Sequence, residues 1–481
     1  MIKDTLIRVL KREFPFEFTS IQQEASQKLC TFLLDKDPQS AFILLGYAGT
    51  GKTTLLGALV RCLLRLQRNV VLMAPTGRAA KVFALHAGHP AFTIHKIIYR
   101  QRHKDDVDSG FSLNINKFSH TIFIVDEASM ISNEAGIHPV FGSGCLLDDL
   151  FRFINNGKGC RILFVGDTAQ LPPVGEQLSP ALSPRAVTAC GFHVSGAILT
   201  EVMRQSSQSG ILHNATHLRL LLSQNCFNTP PKVCFEGFND ICNLSGSDLI
   251  EALEESYNHS GIQQTIVITR SNKMANLYNK GIRGSIFGRE QVLSKGDVVM
   301  IARNNYYWTE RLRADLPEEE NIPMDFIANG DIAIVTHIKN FLNLYDLHFA
   351  DVTLTFPDFN DFEMDVRVIL EALESESPAL SDAVGQQLFD GVMEDYAEYS
   401  TRKKRMEKVR EDPNYNAVQI KYAYAVTCHK AQGGQWEHVF LDQGWLPPDG
   451  IDANYLRWLY TAFTRATSCL HLINWPRQQH Q

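Results

Sequence analysis

Lys52 stands in the stretch Gly46-Tyr47-Ala48-Gly49-Thr50-Gly51-Lys52-Thr53-Thr54, which fits the phosphate-loop pattern G-x-x-x-x-G-K-T at every fixed position. Glycines let the backbone curl until successive N–H groups point at anionic oxygens beside a helix N-terminus. In that setting Lys52 would reach the β- and γ-phosphates of a nucleotide, and the Thr53 hydroxyl would ligate Mg²⁺. Asp126 and Glu127 stand side by side behind the apolar run Ile122–Val125. Asp126 would complete the metal shell that Thr53 begins, and Glu127 would take a proton from the attacking water or orient it. Gln170, behind Gly166-Asp167, can report loss of the γ-phosphate by exchanging hydrogen-bond partners. Pro172-Pro173 stiffens the loop through which that change would pass.

Each of these groups needs a strand or a helix to aim it. The run 41–45 reads as a buried strand entering the loop, and 55–60 reads as the helix leaving it. A second strand, 70–74, delivers Pro75, Thr76 and Gly77 to its carboxyl end, where open α/β sheets hold their ligands. His95 follows closely, and a lone histidine there is equally readable as structural or as functional. Gln22 opens a helix capped by Thr19 or Ser20, and its amide offers both a donor and an acceptor to an adenine edge. Residues 99–118 carry mixed charge and Gly110, so they form either a small inserted hairpin or a surface loop. Strands are expected at 161–166, 265–269, 295–300, 332–336, 351–356, 422–426 and 470–474, and helices at 211–224, 273–286, 383–410 and 454–464. Tyr306-Tyr307-Trp308 reads as packing between domains rather than as a base-stacking platform.

Composition bounds the alternatives. A chain of 481 residues that is 44% hydrophobic has core enough for several domains. No charged-then-apolar leader opens Met1-Ile2-Lys3-Asp4, and no apolar run approaches ~18 residues, so a cytoplasmic protein outside the membrane is expected. The ten cysteines show no C-x-x-C spacing, and Cys226, Cys234 and Cys242 are too far apart for a zinc cluster; reduced thiols are expected. The net charge is −7, yet residues 357–400 hold twelve acids against Arg367 alone. The body outside that insertion is therefore mildly basic and compatible with a polyanion. The run 402–410 is basic and reads as a solvated helix face.

Set in order, the motifs resemble one family. Lys52, Asp126-Glu127, Gly166-Asp167-x-x-Gln170-Leu-Pro-Pro, Leu199-Thr200-Glu201-Val202-Met203-Arg204, Thr427-x-His429-Lys430-x-Gln432-Gly433 and Tyr460-Thr461-Ala462-x-Thr464-Arg465 look like a superfamily 1 DNA helicase of the RecD/Dda-like branch. The resemblance covers nearly the whole chain outside residues 99–118 and 301–417. It implies an α/β fold of two RecA-like domains with parallel sheets, at 1–200 and at 201–300 joined to 418–481. A hairpin would be inserted in the first, and an SH3-like β-barrel with helices, 301–417, in the second. It implies ATP and Mg²⁺ between the domains, with Gln22 reading adenine, Gly433 near the nucleotide, and Arg204 and Arg465 on the γ-phosphate. Single-stranded and forked DNA would be the partners of a monomeric motor moving 5′ to 3′. Pro75, Thr76, Gly77, His95, Thr427, His429 and Lys430 would touch the strand. An RNA helicase, or an ATPase switch that separates no strands, are the alternatives.

Overall fold

The computed structural model describes residues 2–101, 111–134, 141–202, 208–227, 229–317, 322–324, 326–446 and 451–481. In its first body the apolar runs become β1 (Ser40–Gly46), β2 (Val70–Ala74), β3 (Ala91–Thr93), β6 (Ile122–Val125), β7 (Arg161–Gly166) and β8 (His193–Leu199). Between β3 and β6, β4 (Tyr99–Gln101) pairs antiparallel with β5 (Phe111–Leu113). Of the two readings of residues 99–118, the described part is therefore the base of a hairpin. The other six strands form one parallel sheet in the order β3-β2-β6-β7-β1-β8. β6, β7 and β1 are neighbours in it, so the chain leaves the sheet at Asp126, Asp167 and Tyr47 along one edge. Their strands are buried on both faces, which is why continuous apolar runs rather than alternating ones encode them.

The second body contributes β9 (Ile241–Leu244) and β10 (Thr265–Thr269), then a closed barrel, then β16 (Ala425–Thr427), β17 (Trp436–Leu441) and β18 (Ala466–Ile473). Its parallel sheet has the order β16-β10-β17-β18-β9. The barrel comprises β11 (Val298–Ile301), β12 (Ile332–Leu344), β13 (Leu347–Phe356), β14 (Phe362–Ile369) and β15 (Val418–Tyr422). It thus reaches beyond 301–417 on both sides. β11 is as apolar as a sheet strand, whereas β15 carries Gln419 and Lys421; the two pair antiparallel with each other, and β11 does so with β12.

Two sheets, a hairpin and a five-stranded barrel are the fold class that the motifs imply. The single helix expected at 383–410 is two, Asp382–Asp395 and Arg402–Glu411. The break is built in: the Thr401 side chain caps the second helix at Lys404 N, and Arg405 donates back to the Tyr399 carbonyl.

Only Ala423 and Tyr424 separate the barrel from the second sheet, and both are fixed. Ala423 N donates to Val298 O in β11, and Val267 N in β10 donates to Tyr424 O. Below them Asp297, fully buried, accepts from Arg283, Arg289, Ser294 N and the Tyr424 hydroxyl at 2.7–3.0 Å. Among the described residues no helix is long and apolar enough to cross a membrane.

Candidate nucleotide and nucleic-acid sites

Between β1 and the helix Lys52–Arg65 the chain turns through two left-handed glycines, Gly49 at φ +73° and Gly51 at φ +80°. A side chain is excluded at both for steric reasons besides φ. A Cβ at Gly51 would lie 2.7 Å from Gln22 Nε2, and one at Gly49 would lie 3.1 Å from Leu212. Lys52 lies across the loop, its ammonium on the carbonyls of Gly46 at 2.5 Å and Tyr47 at 2.9 Å and 3.7 Å from Asp167. Thr53 and Thr54 begin the helix and stay half-buried. Gln22, buried, donates to Thr50 O at 3.1 Å while its Oε1 receives Thr19 N in a capping box. The predicted adenine reader is thus also a strut under the loop.

Asp126 and Glu127 leave β6 beside this loop. Asp126 Oδ1 accepts Glu127 N at 2.8 Å, and burial, with Glu127 next to it, raises the Asp126 carboxyl to about 7. Glu127 itself takes φ +51°, a left-handed conformation uncommon for a residue with a Cβ, which turns its side chain away from the strand direction. A carboxylate and a threonine hydroxyl at the mouth of a phosphate loop are hard oxygen donors, the set that suits Mg²⁺.

The loop after β7 is held by the second body. Tyr460, on the helix Ala453–Phe463, donates its hydroxyl to Asp167 Oδ2 at 2.6 Å and accepts Ala48 N at 2.8 Å. Burial and the Asp167 charge push that phenol well above its ordinary value. Its neighbour Thr461 accepts Leu171 N at 2.8 Å, and Gln432 Nε2 donates to Leu171 O at 2.7 Å. Gln170 sits between these anchors with its buried Oε1 unpartnered, an acceptor held in reserve. Neither Tyr460 nor Thr461 was assigned a role from sequence, although the motif holding them was read. Arg465, also in that motif, is buried with its donors on Thr461 O, Gly434 O and Thr464 Oγ1 rather than on the loop. Arg204 lies outside the described residues.

The predicted strand-contacting residues form two groups that meet. Thr76 caps the helix Gly77–Ala87 through Ala79 N, and Pro75 ends in the same turn. Against them comes Gly433, at φ +72°, where a Cβ would lie 3.1 Å from Ala79 and 3.3 Å from Thr76 Oγ1. Gly77 in turn faces the barrel, with Asp331 Oδ1 and the Phe359 ring against it. Thr427 stands at the start of the short turn that carries His429, which is exposed, and Lys430, half-buried. Thr427 and Lys430 line a groove with Asn272, Asn276 and Lys421, whose ammonium burial lowers to about 8. His95 is placed differently. Its ring packs on Phe141 at 4.7 Å and Tyr99 at 5.7 Å, and burial lowers it to about 4, so it is a neutral imidazole in an aromatic cluster. Phe111, Tyr306 and Phe326 complete that cluster, joining the hairpin base to the barrel side. Trp308 likewise packs, donating Nε1 to Asn416 O.

Residues 18–220 match the family model described as an AAA domain, and 422–473 that of the UvrD-like helicase C-terminal domain. The chain is 24% identical over 537 residues to the uncharacterized protein R530 of Acanthamoeba polyphaga mimivirus, covering 94% of this chain and 99% of that one. It is 32% identical over 176 residues to the ATP-dependent RecD2 DNA helicase of Deinococcus radiodurans, covering 36% of this chain and 21% of that protein. Among solved structures, the Pif1 helicase from Bacteroides in complex with ADP-AlF3 and ssDNA is 16% identical, with a TM-score of 0.47 over 96% of this chain and 94% of that one.

Proposed function

We propose that this chain is an ATP-hydrolysing motor of the Pif1/RecD-like helicases of superfamily 1, a DNA helicase moving 5′ to 3′ along a single strand as a monomer and opening duplex at a fork. The observation that carries the proposal is the reach of Tyr460 and Thr461 across the cleft. One helix of the second body touches the phosphate loop, Asp167 and Leu171, so a change at the nucleotide moves the two bodies against each other.

In this reading Gly46, Tyr47, Ala48, Gly49, Thr50 and Gly51 cradle the phosphates with their amides, and Lys52 leaves its carbonyls for the β- and γ-oxygens. Thr53 and Asp126 would hold Mg²⁺, whose charge would offset that developing on the transferred phosphoryl group. Glu127 orients water and takes its proton. Arg465 and Arg204 supply guanidinium forks as the cleft closes, Arg465 by exchanging carbonyl partners for phosphate. Pro75, Thr76 and Gly77 grip the strand backbone from one body; Thr427, His429 and Lys430 grip it from the other. His95, being neutral, serves as a positioning ring rather than as a charged contact.

The deciding experiment is unwinding of DNA and RNA forks with a 5′ or a 3′ tail, run beside Lys52→Ala. Only the 5′-tailed DNA fork should open, with ATP, and Lys52→Ala should open none while still binding single strands. Unwinding confined to RNA would make this an RNA helicase. Strand-stimulated hydrolysis without separation of any fork would make it a switch.

A further inference from the structure

At the far edge of the second sheet, away from the nucleotide, three soft or borderline donors converge from strands distant in sequence. Cys242 lies on the edge strand β9, and Cys469 and His471 lie two residues apart on β18, hence on one face. The register sets His471 beside Cys242, and Cys469 beside His438 of β17. The two sulfurs and one imidazole nitrogen all fall within 4.8 Å of one another, and all three side chains are half-buried. Cys242 Sγ is 3.2 Å from His471 Nδ1.

We infer that Cys242, Cys469 and His471 Nδ1 form a binding site for one thiophilic divalent cation, Zn²⁺, with its fourth position open to water. A tetrahedral Zn²⁺ with Zn–S of about 2.3 Å and Zn–N of about 2.0 Å holds its donors roughly 3.5–4 Å apart, so the Cys242–His471 pair at 3.2 Å opens slightly while no donor pair starts more than 4.8 Å apart. Thiolate donors select against the hard Mg²⁺ that suits the phosphate loop. The second shell is in place as well. His471 Nε2 lies 3.4 Å from His438 Nδ1, so an Nε2–H donated to His438 leaves Nδ1 free as the ligand. The His471 ring is further fixed by stacking on Phe440, 4.2 Å apart and 8° from parallel. Among the described residues β9 pairs only with β18, so a cation shared by the two strands staples the edge that backbone pairing leaves weakest.

The test uses the full chain, reduced and stripped of metal, then equilibrated with Zn²⁺ in excess Mg²⁺, which occupies oxygen sites. Gel-filtered protein should retain about one Zn²⁺ per chain and melt at a higher temperature than the stripped form. Cys242→Ser/Cys469→Ser should lose both, whereas Cys226→Ser/Cys234→Ser should keep both. His438→Ala should keep the stoichiometry and weaken affinity by about tenfold or more. Co²⁺ on the wild type gives a readout that no variant's folding can confuse: thiolate-to-cobalt charge transfer should appear. Wild-type protein that stays metal-free, Co²⁺ bound without that absorption, or full Zn²⁺ retained by Cys242→Ser/Cys469→Ser would each overturn the site.

Discussion

The Tyr460 hydroxyl has the most consequential position of any single group described. It meets a half-buried loop amide and a buried carboxylate at once. Tyr460→Phe keeps the ring and strands both partners, a cost of about 1–3 kcal/mol. Single-strand-stimulated ATPase should drop roughly tenfold or more, while strand affinity stays close to wild type. An unchanged ATPase would show that the bridge contributes nothing to turnover. Lys52, Asp126 and Glu127 were legible in the sequence because each is written within a few residues of the strand that aims it. Tyr460 was not, since its partner Ala48 is 412 positions away. The Cys242–His471 pair is hidden for the same reason, 229 positions apart. Spacing rules see only ligands carried on one local element.

Among elements, the hairpin base is bolted down rather than merely paired. Asn114 N donates to Ile98 O, Gly142 N donates to Phe111 O, and Tyr99 gives its hydroxyl to the buried Asp149. Phe111 then stacks against Tyr306 of the second body at 4.7 Å. The fork opening proposed above needs a wedge on that sort of rigid footing. Replacing residues 102–110 with a short Gly/Ser turn, with β4 and β5 kept, should spare strand-stimulated ATPase and single-strand translocation while fork unwinding falls sharply. Wild-type unwinding per ATP would move strand separation to another element. Sheet strands were readable from apolar runs alone, as at Thr265–Thr269. The barrel's limits were not, because Val298–Ile301 carries no mark of which sheet will pair with it. The helix break at Tyr396–Thr401 was missed because a capping threonine inside a polar stretch resembles any surface residue.

On the scale of the molecule, the barrel meets the first body at Gly77 through Phe359 and Asp331, and Lys81 pairs with Asp358 beside them at 3.2 Å. Burial, with Asp358 adding to it, raises the Asp331 carboxyl to about 8. An unfolded aspartate releases its proton near pH 4, so between those values the folded state binds more protons and stability falls as pH rises. Thermal midpoints should therefore decline from pH 5 to pH 8, and Asp331→Asn should flatten the decline and melt higher at pH 8. Superimposable profiles would mean that the carboxyl is not buried in solution. That seam was invisible in the sequence, since nothing in Asn329-Gly330-Asp331 says which surface it will touch.

The two-residue link at Ala423-Tyr424 has a mechanical corollary. Hydrogen-bonded into β11 on one side and β10 on the other, with Asp297 clamped beneath, it leaves the barrel no joint of its own. The barrel is a lever arm welded to the second sheet. In the proposed motor, an angle opened at Tyr460 would be delivered to Gly77 as sideways travel of Phe359 and Asp331. The length of that stroke is then fixed by the arm's radius, a property of the barrel's size rather than of any hinge sequence.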